Sequence, residues 1–141
     1  MLIRVVKIQD ATAIAHLMKQ LGYPTTPKAI RKRLKTHFST QTTKGFLAFF
    51  NKKPIGFISL HLIPLIHEDG FLCRLTSLIV DKKYRGKGIG KKLVKTAEIH
   101  AIKKGAVRSE VTSSIKRNEA HQFYKSTGYQ EYRKRFIKLL K

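Results

Sequence analysis

The chain has 141 residues, a common size for one folded domain, and its 42% hydrophobic and 27% charged residues exclude a disordered chain. No apolar run approaches the roughly 18 residues of a membrane span. Arg4 and Lys7 break up the opening where a secretory signal would be continuous, and the single cysteine, Cys73, cannot close an internal disulfide, so the default reading is cytoplasmic with no membrane partner. Thirty Lys and Arg against eight Asp and Glu give a net charge of +22, a field that attracts polyanions and brings nucleic acid into consideration. The cations are nevertheless spread along the whole chain, with small clusters at 31–35, 82–92 and 133–138.

Leu2–Val6 reads as a first strand. Asp10 then caps a helix whose apolar residues Ala11, Ile14, Ala15, Leu17, Met18 and Leu21 recur at helical spacing until Gly22 stops it. Thr26 and Pro27 open a second helix with a narrow apolar face of Ile30, Leu34 and Phe38. Two strands near 45–50 and 54–62 form a hairpin around Asn51 to Lys53. After a loop, the run from Phe71 to Asp81 has the continuous apolar character of a buried central strand. A glycine-rich turn leads into a helix from about Gly88 to Lys104, with Ile89, Leu93, Val94, Ala97 and Ile102 inward and Gly105 at its end. Residues 106–114 give another strand, Asn118 opens a short helix that Gly128 closes, and 129–140 finish the chain as one or two strands. The order β-α-α-β-β-β-α-β-α-β predicts one α/β domain over residues 1–141, a mixed α+β sheet with helices on both faces.

The turn from Tyr84 to Val94 sets Gly86, Gly88 and Gly90 among Arg85, Lys87, Lys91 and Lys92. A helix start has unpaired N–H donors and the positive end of the helix dipole, so such a turn suits a phosphate held against the main chain. It does not match a Walker A loop: Arg85 stands where the first glycine belongs, and Lys92 where Ser or Thr belongs. The dinucleotide fingerprint fails as well, because its third glycine would fall on Lys91 or Leu93.

What remains is Arg85, Gly88 and Gly90 after a strand end, which resembles the pyrophosphate loop of the GNAT family of acetyl-CoA-dependent N-acetyltransferases. A second block is similar to that family's later motif: Asn118, Ala120, Phe123, Tyr124, Gly128 and Tyr129 match it in order. Together the two blocks and the element order extend the resemblance over essentially the whole chain. The resemblance implies the GNAT acyl-CoA N-acyltransferase fold, with the fourth and fifth strands splayed and the pantetheine arm lying between them. It implies acetyl-CoA as cosubstrate, an amine acceptor, direct transfer without a covalent enzyme intermediate, and no metal; homodimers are frequent among such proteins. Carried over residue by residue, Leu78, Ile79 and Val80 would pair with the arm through their backbone. Arg85, Gly86, Lys87, Gly88, Ile89, Gly90 and Lys91 would hold the pyrophosphate, Asn118 would bond the pantetheine or its phosphate, and Tyr124 would face the thioester sulfur.

An alkyl ammonium must lose a proton before it attacks, so a base is required, and the leaving sulfur needs a proton donor. Tyr124 is the candidate acid, with the Leu78 N–H as oxyanion donor. Glu110 and His61 are the candidate bases, each also readable as structural. His67, Glu68 and Asp69 sit on a loop that would border the acceptor, His121 reads as a surface residue, and Cys73 as core. The acceptor is not legible, although a chain with so few acids is poorly equipped to bind a polycation. A nucleic-acid-binding module on the same scaffold is the competing reading.

Overall fold

The computed structural model describes residues 1–112 and 118–141, and of Asn118 only its place in a helix. Strands β1 (Leu2–Val5), β2 (Thr43–Phe50), β3 (Lys53–Pro64), β4 (Phe71–Val80) and β5 (Ala106–Val111) form one sheet in the order β1-β2-β3-β4-β5. The first four are antiparallel, whereas β5 is parallel to β4. Helices α1 (Ala11–Leu21) and α2 (Pro27–Thr36) precede β2, α3 (Ile89–Lys103) carries the chain from β4 to β5, and α4 (Asn118–Ser126) follows.

Local signals set these elements. Thr26 accepts a hydrogen bond from the Ala29 N–H at 3.1 Å, with Pro27 beside it at the first helical position. Gly22 ends α1 at φ 101°. The hairpin turns on Asn51 and Lys52 at φ 48° and 65°, the left-handed pair that matches strand twist.

Both faces of the sheet are covered, which is why its central strands read as continuous apolar runs. Leu47, Phe57 and Ile79 pack against Ile14, Leu17, Met18, Ile30 and Leu34 of α1 and α2. Phe46, Ala48, Ile58, Leu60, Cys73 and Leu75 meet Leu93, Val94 and Ala97 of α3. Leu75 and Ile79 face opposite layers because Ser59 pairs with Ser77 and Leu60 with Leu75, leaving Thr76 as an extra residue, a β-bulge.

Two expectations need correction. Ile102 is 69% exposed, and Ala101 takes the inward position instead. Residue 101 continues the four-residue row of Leu93 and Ala97, and Ile102 is rotated off it. The last segment, 129–141, forms no strand, since a strand needs a neighbour and none of the described strands pairs with it. No helix among the described residues is long and apolar enough to cross a membrane.

Candidate active site

The site begins where β4 leaves its neighbour. Pairing between β4 and β5 runs from Phe71 with Ala106 to Leu75 with Val111 and stops there, one residue before the bulge. Ser77 to Val80 continue to pair with β3, at Ser59 to Gly56, but have no strand on their other side among the described residues. The bulge therefore sits at the mouth of an opening between β4 and β5, and Leu78, Ile79 and Val80 border it.

At the end of β4 the chain is tied down before it reaches the glycines. Asp81 is buried; its N–H donates to the Ile55 carbonyl at 2.7 Å and its carboxylate accepts from the Lys83 N–H at 2.9 Å. Gln20 of α1 donates to the same carboxylate at 3.3 Å and accepts from the Lys82 N–H at 3.1 Å. The Lys83 N–H is the main influence holding the Asp81 carboxyl below its usual range, against the cost of burial. The loop that follows thus starts from a fixed point.

The three glycines do different work. Gly86 and Gly88 lie at φ 79° and 80°, the left-handed region, and a Cβ on either would meet nothing within 4 Å, so conformation is their reason. Gly88 is the residue before α3 and has no side chain with which to cap it, so an acceptor for the first N–H groups must come from elsewhere. Gly90 has a packing reason: a Cβ there would stand 3.1 Å from Cε1 of Phe123. Phe123 belongs to the second sequence block, so the two blocks that carried the resemblance touch at this point. Around the loop, Lys53 and Lys87 stand over the Tyr84 ring, each at 5.6 Å. The Arg85 Nε donates to the Val80 carbonyl at 2.9 Å. Lys91, Lys92, Lys95, Glu98, Ser126 and Thr127 line a cavity of about 360 Å³ between α3 and the end of α4.

On the other side of the bulge, polar side chains form a row across three strands. His61 pairs in register with Arg74, and Arg74 with Glu110. The Arg74 Nε donates to Glu110 Oε1 at 2.8 Å, and its terminal nitrogen contacts the same oxygen. His61 Nε2 lies 2.8 Å from the Thr76 hydroxyl, which lies 2.8 Å from that of Ser59. Nδ1 of His61 is 3.4 Å from the Thr43 hydroxyl, and the Phe38 ring meets the imidazole edge-on at 6.0 Å. Burial and then the Arg74 charge depress the His61 pKa, so its neutral form is favoured at neutral pH. Glu68, on the loop before β4, bonds Arg108 of β5 at 2.5 Å and lies 3.6 Å from His67.

Tyr124 is half-buried on α4 and packs edge-on against Phe123 at 5.4 Å and Tyr129 at 6.1 Å. Tyr129 ties the end of that helix to the sheet. Its hydroxyl lies 2.8 Å from the Ser109 hydroxyl and donates to Glu98 at 3.1 Å, and burial pushes its phenol far above the ordinary range. Cys73 is fully buried, with its thiol pKa raised by desolvation. The predicted residues therefore fall into two groups, Leu78 to Lys91 along the open edge and the loop after it, and His61 and Glu110 in the polar row. Tyr124 lies beside Phe123, which stands against Gly90 of the first group. The side chain of Asn118 lies outside the described residues. Arg74, Thr76, Ser59, Gln20 and Asp81 were missed, although the polar residues at alternate positions inside two apolar strands were a signal for the first three.

Comparison with known proteins agrees with this geometry. The model of the acetyltransferase (GNAT) family matches residues 10–129. An aminoalkylphosphonate N-acetyltransferase of Salmonella typhimurium is 37% identical over 94 residues, 67% of this chain and 61% of that protein. An uncharacterised N-acetyltransferase of Methanocaldococcus jannaschii is 30% identical over 87 residues, 61% of this chain and 38% of that protein. The chain thus spans about three fifths or less of these curated relatives. A GNAT family acetyltransferase of Staphylococcus aureus shares the fold with a TM-score of 0.83 at 22% identity, over 99% of this chain and 98% of that one. With a splayed strand pair, a glycine-turned helix start and the family match over most of its length, this chain belongs to the GNAT acetyltransferase family.

Proposed function

We propose that residues 1–141 act as a single N-acetyltransferase domain that moves acetyl from acetyl-CoA to a primary amine. One observation carries this reading: β4 has no β5 partner after Leu75, and its open length leads, through residues 81–88, to a helix start among cations whose N-cap is a glycine. A thioester arm and a pyrophosphate need that pair of features on one strand. Leu78, Ile79 and Val80 offer backbone groups to the arm, and Arg85 to Lys91 surround the pyrophosphate. Arg85 now holds the Val80 carbonyl; turning outward to a phosphate would release that carbonyl to the arm. Lys91, Lys92 and Lys95 extend the cationic surface to CoA's remaining phosphate.

Acetyl-CoA supplies the activated acyl group, and the chain supplies orientation and proton transfer. Of the two base candidates His61 is favoured, because Glu110 is engaged by Arg74, whereas burial and then Arg74 favour the neutral imidazole of His61. It would take the ammonium proton through Thr76, whose hydroxyl it meets at the bulge beside the opening. Tyr124 would protonate or hydrogen-bond the departing sulfur, and the Leu78 N–H would stabilise the oxyanion. Arg74 and Glu110, both partly exposed, offer a cation and an anion side by side to the acceptor. That pair suits a short amine that also carries an acidic group, such as an aminoalkyl acid, in line with the aminoalkylphosphonate named for the Salmonella relative.

Acetyl-CoA should raise the melting temperature clearly, by mass action on the folded state. An amine panel should then show acetylation of aminoalkyl acids ahead of plain alkylamines. No acetyl-CoA shift, combined with steeply salt-dependent RNA binding, would replace this reading with a nucleic-acid module.

A further inference from the structure

The main-chain ties of the loop between β4 and α3 gather at its ends. The Tyr84 N–H donates to the Asp81 carbonyl at 2.8 Å before the glycines, and the Lys92 N–H to the Gly88 carbonyl at 3.2 Å after them. Between those bonds Gly86 and Gly88 lie in the left-handed region, where glycine gives the backbone its widest choice of conformation. The loop therefore takes its position from α3 at one end and from the turn Asp81 to Tyr84 at the other.

Among the described hydrogen bonds of that turn, those of Gln20 alone come from a helix. Gln20 rides on the last turn of α1, a firm base, since Leu17 and Met18 beside it are buried in the layer that includes Ile79 of β4. Its amide spends both ends on the turn. Oε1 accepts from the Lys82 N–H at 3.1 Å, and Nε2 donates to Asp81 Oδ2 at 3.3 Å, while Asp81 Oδ1 accepts from the Lys83 N–H. Nε2 of His16, one turn back on α1, lies 3.4 Å from the same Gln20 nitrogen. The two partners call for an amide of this length. Asparagine is one methylene short, and glutamate would set a second carboxylate against Asp81.

We propose that Gln20 is a positioning residue, which holds the loop after β4 where its main-chain N–H groups meet the pyrophosphate and so sets the affinity for acetyl-CoA. The inference rests on the donor reading above and adds to it a residue that acts only through Asp81 and Lys82. A loop that visits other positions binds with its affinity reduced by the fraction of time it is correctly placed. Loss of the Gln20 amide therefore weakens donor binding without slowing transfer once the donor is bound.

Gln20→Ala should raise the KM and Kd for acetyl-CoA about tenfold, as for a loop correctly placed a tenth of the time, with kcat at saturating donor within about twofold of native. A side chain that only stabilised the fold would lower the melting temperature and leave KM alone. A sharper test reverses the polarity of the pair. Gln20→Glu sets carboxylate against carboxylate, and Asp81→Asn sets one amide donor against another, so each alone should weaken acetyl-CoA binding at least as much as Gln20→Ala. In the double variant the new carboxylate accepts from the Lys82 N–H and from the new amide, whose oxygen still accepts from the Lys83 N–H. With every bond restored, KM should return to within about threefold of native, a coupling that independent sites do not show. Amide exchange over residues 82–88 should quicken in Gln20→Ala. Native KM and Kd in Gln20→Ala overturn the proposal, as do unchanged exchange and a folded double variant that binds no better than either single one. A native chain that binds no acetyl-CoA overturns the function proposed above and this inference with it, whereas faster exchange beside native affinity overturns this inference alone.

Discussion

The two sides of the β4 opening are built by different means. On the side proposed for the donor the groups offered are main-chain: the unpaired edge from Thr76 to Val80 and the first N–H groups of α3, with Gly86 and Gly88 setting the turn. On the side proposed for the acceptor they are side chains, His61, Arg74 and Glu110, aligned by strand register across β3, β4 and β5. A main-chain site is local: a few consecutive residues create it, and glycine advertises it. A row across strands draws on positions far apart in sequence, and no one of them is diagnostic alone. The two sides should therefore respond to mutation through different observables.

The largest expected effect lies where both sides meet the reacting bond. Tyr124→Phe should lower kcat on the order of a hundredfold, the lower end of what a general acid contributes. The rise in melting temperature caused by acetyl-CoA should be unchanged; an unaltered kcat would remove the acid role. Arg74→Gln should raise KM for an aminoalkyl acid about tenfold, the worth of one charge-assisted hydrogen bond, and leave the acetyl-CoA shift intact. Equal losses for neutral and acidic amines would break the division between the sides.

Gly88→Val should do the converse. A branched residue at φ 80° is strained, by about 1–2 kcal/mol, and should weaken the acetyl-CoA shift while sparing acceptor KM once donor is saturating. Gly90→Ala is a milder change. The Phe123 ring must give way to a Cβ at 3.1 Å, and after the helix-propensity gain a net loss of about 1 kcal/mol should appear in chemical denaturation.

The smallest effect is on pH dependence. His100 faces the Phe46 ring at 5.7 Å, with Nε2 buried and unbonded among the described residues. Burial, then nearby lysines, depresses its pKa, and burial and Arg74 do the same for His61. The unfolded chain therefore binds more protons below the ordinary value of 6.5, so stability is full above it and falls as the pH drops through the folded values. His100→Phe should flatten that fall between pH 7 and 5. An unchanged slope in urea titrations would show that His100 is not among its causes. At lower pH, Asp10 should contribute: burial opposes its charge, but the Arg4 pair and the Lys7 N–H outweigh that and hold its carboxyl low.

Much of the fold was legible because its causes are local. Thr26 and Pro27 announce α2, Gly22 the end of α1, and the apolar periods of α1, α2 and α3 their buried faces, save Ile102 at a helix end where the phase runs off. The glycine turn before α3 was legible too, since glycines crowded before an apolar helical period mark a helix start. Even there, packing divided the glycines: Gly90 answers to Phe123, thirty-three positions away in sequence, and only the folded chain brings them together.

By itself, then, the sequence determined the element order as far as α4, the two-faced core and a glycine turn at a helix start, because capping, periodicity and glycine conformation act within a few residues. Tertiary structure decided where β4 and β5 part, through a one-residue bulge at Thr76 that no local signal marks. It set His61, Arg74 and Glu110 in a single row, because register is fixed by hydrogen bonding between strands distant in sequence. It also left the apolar residues after α4 exposed and without a strand partner, because a strand exists only where another edge receives it.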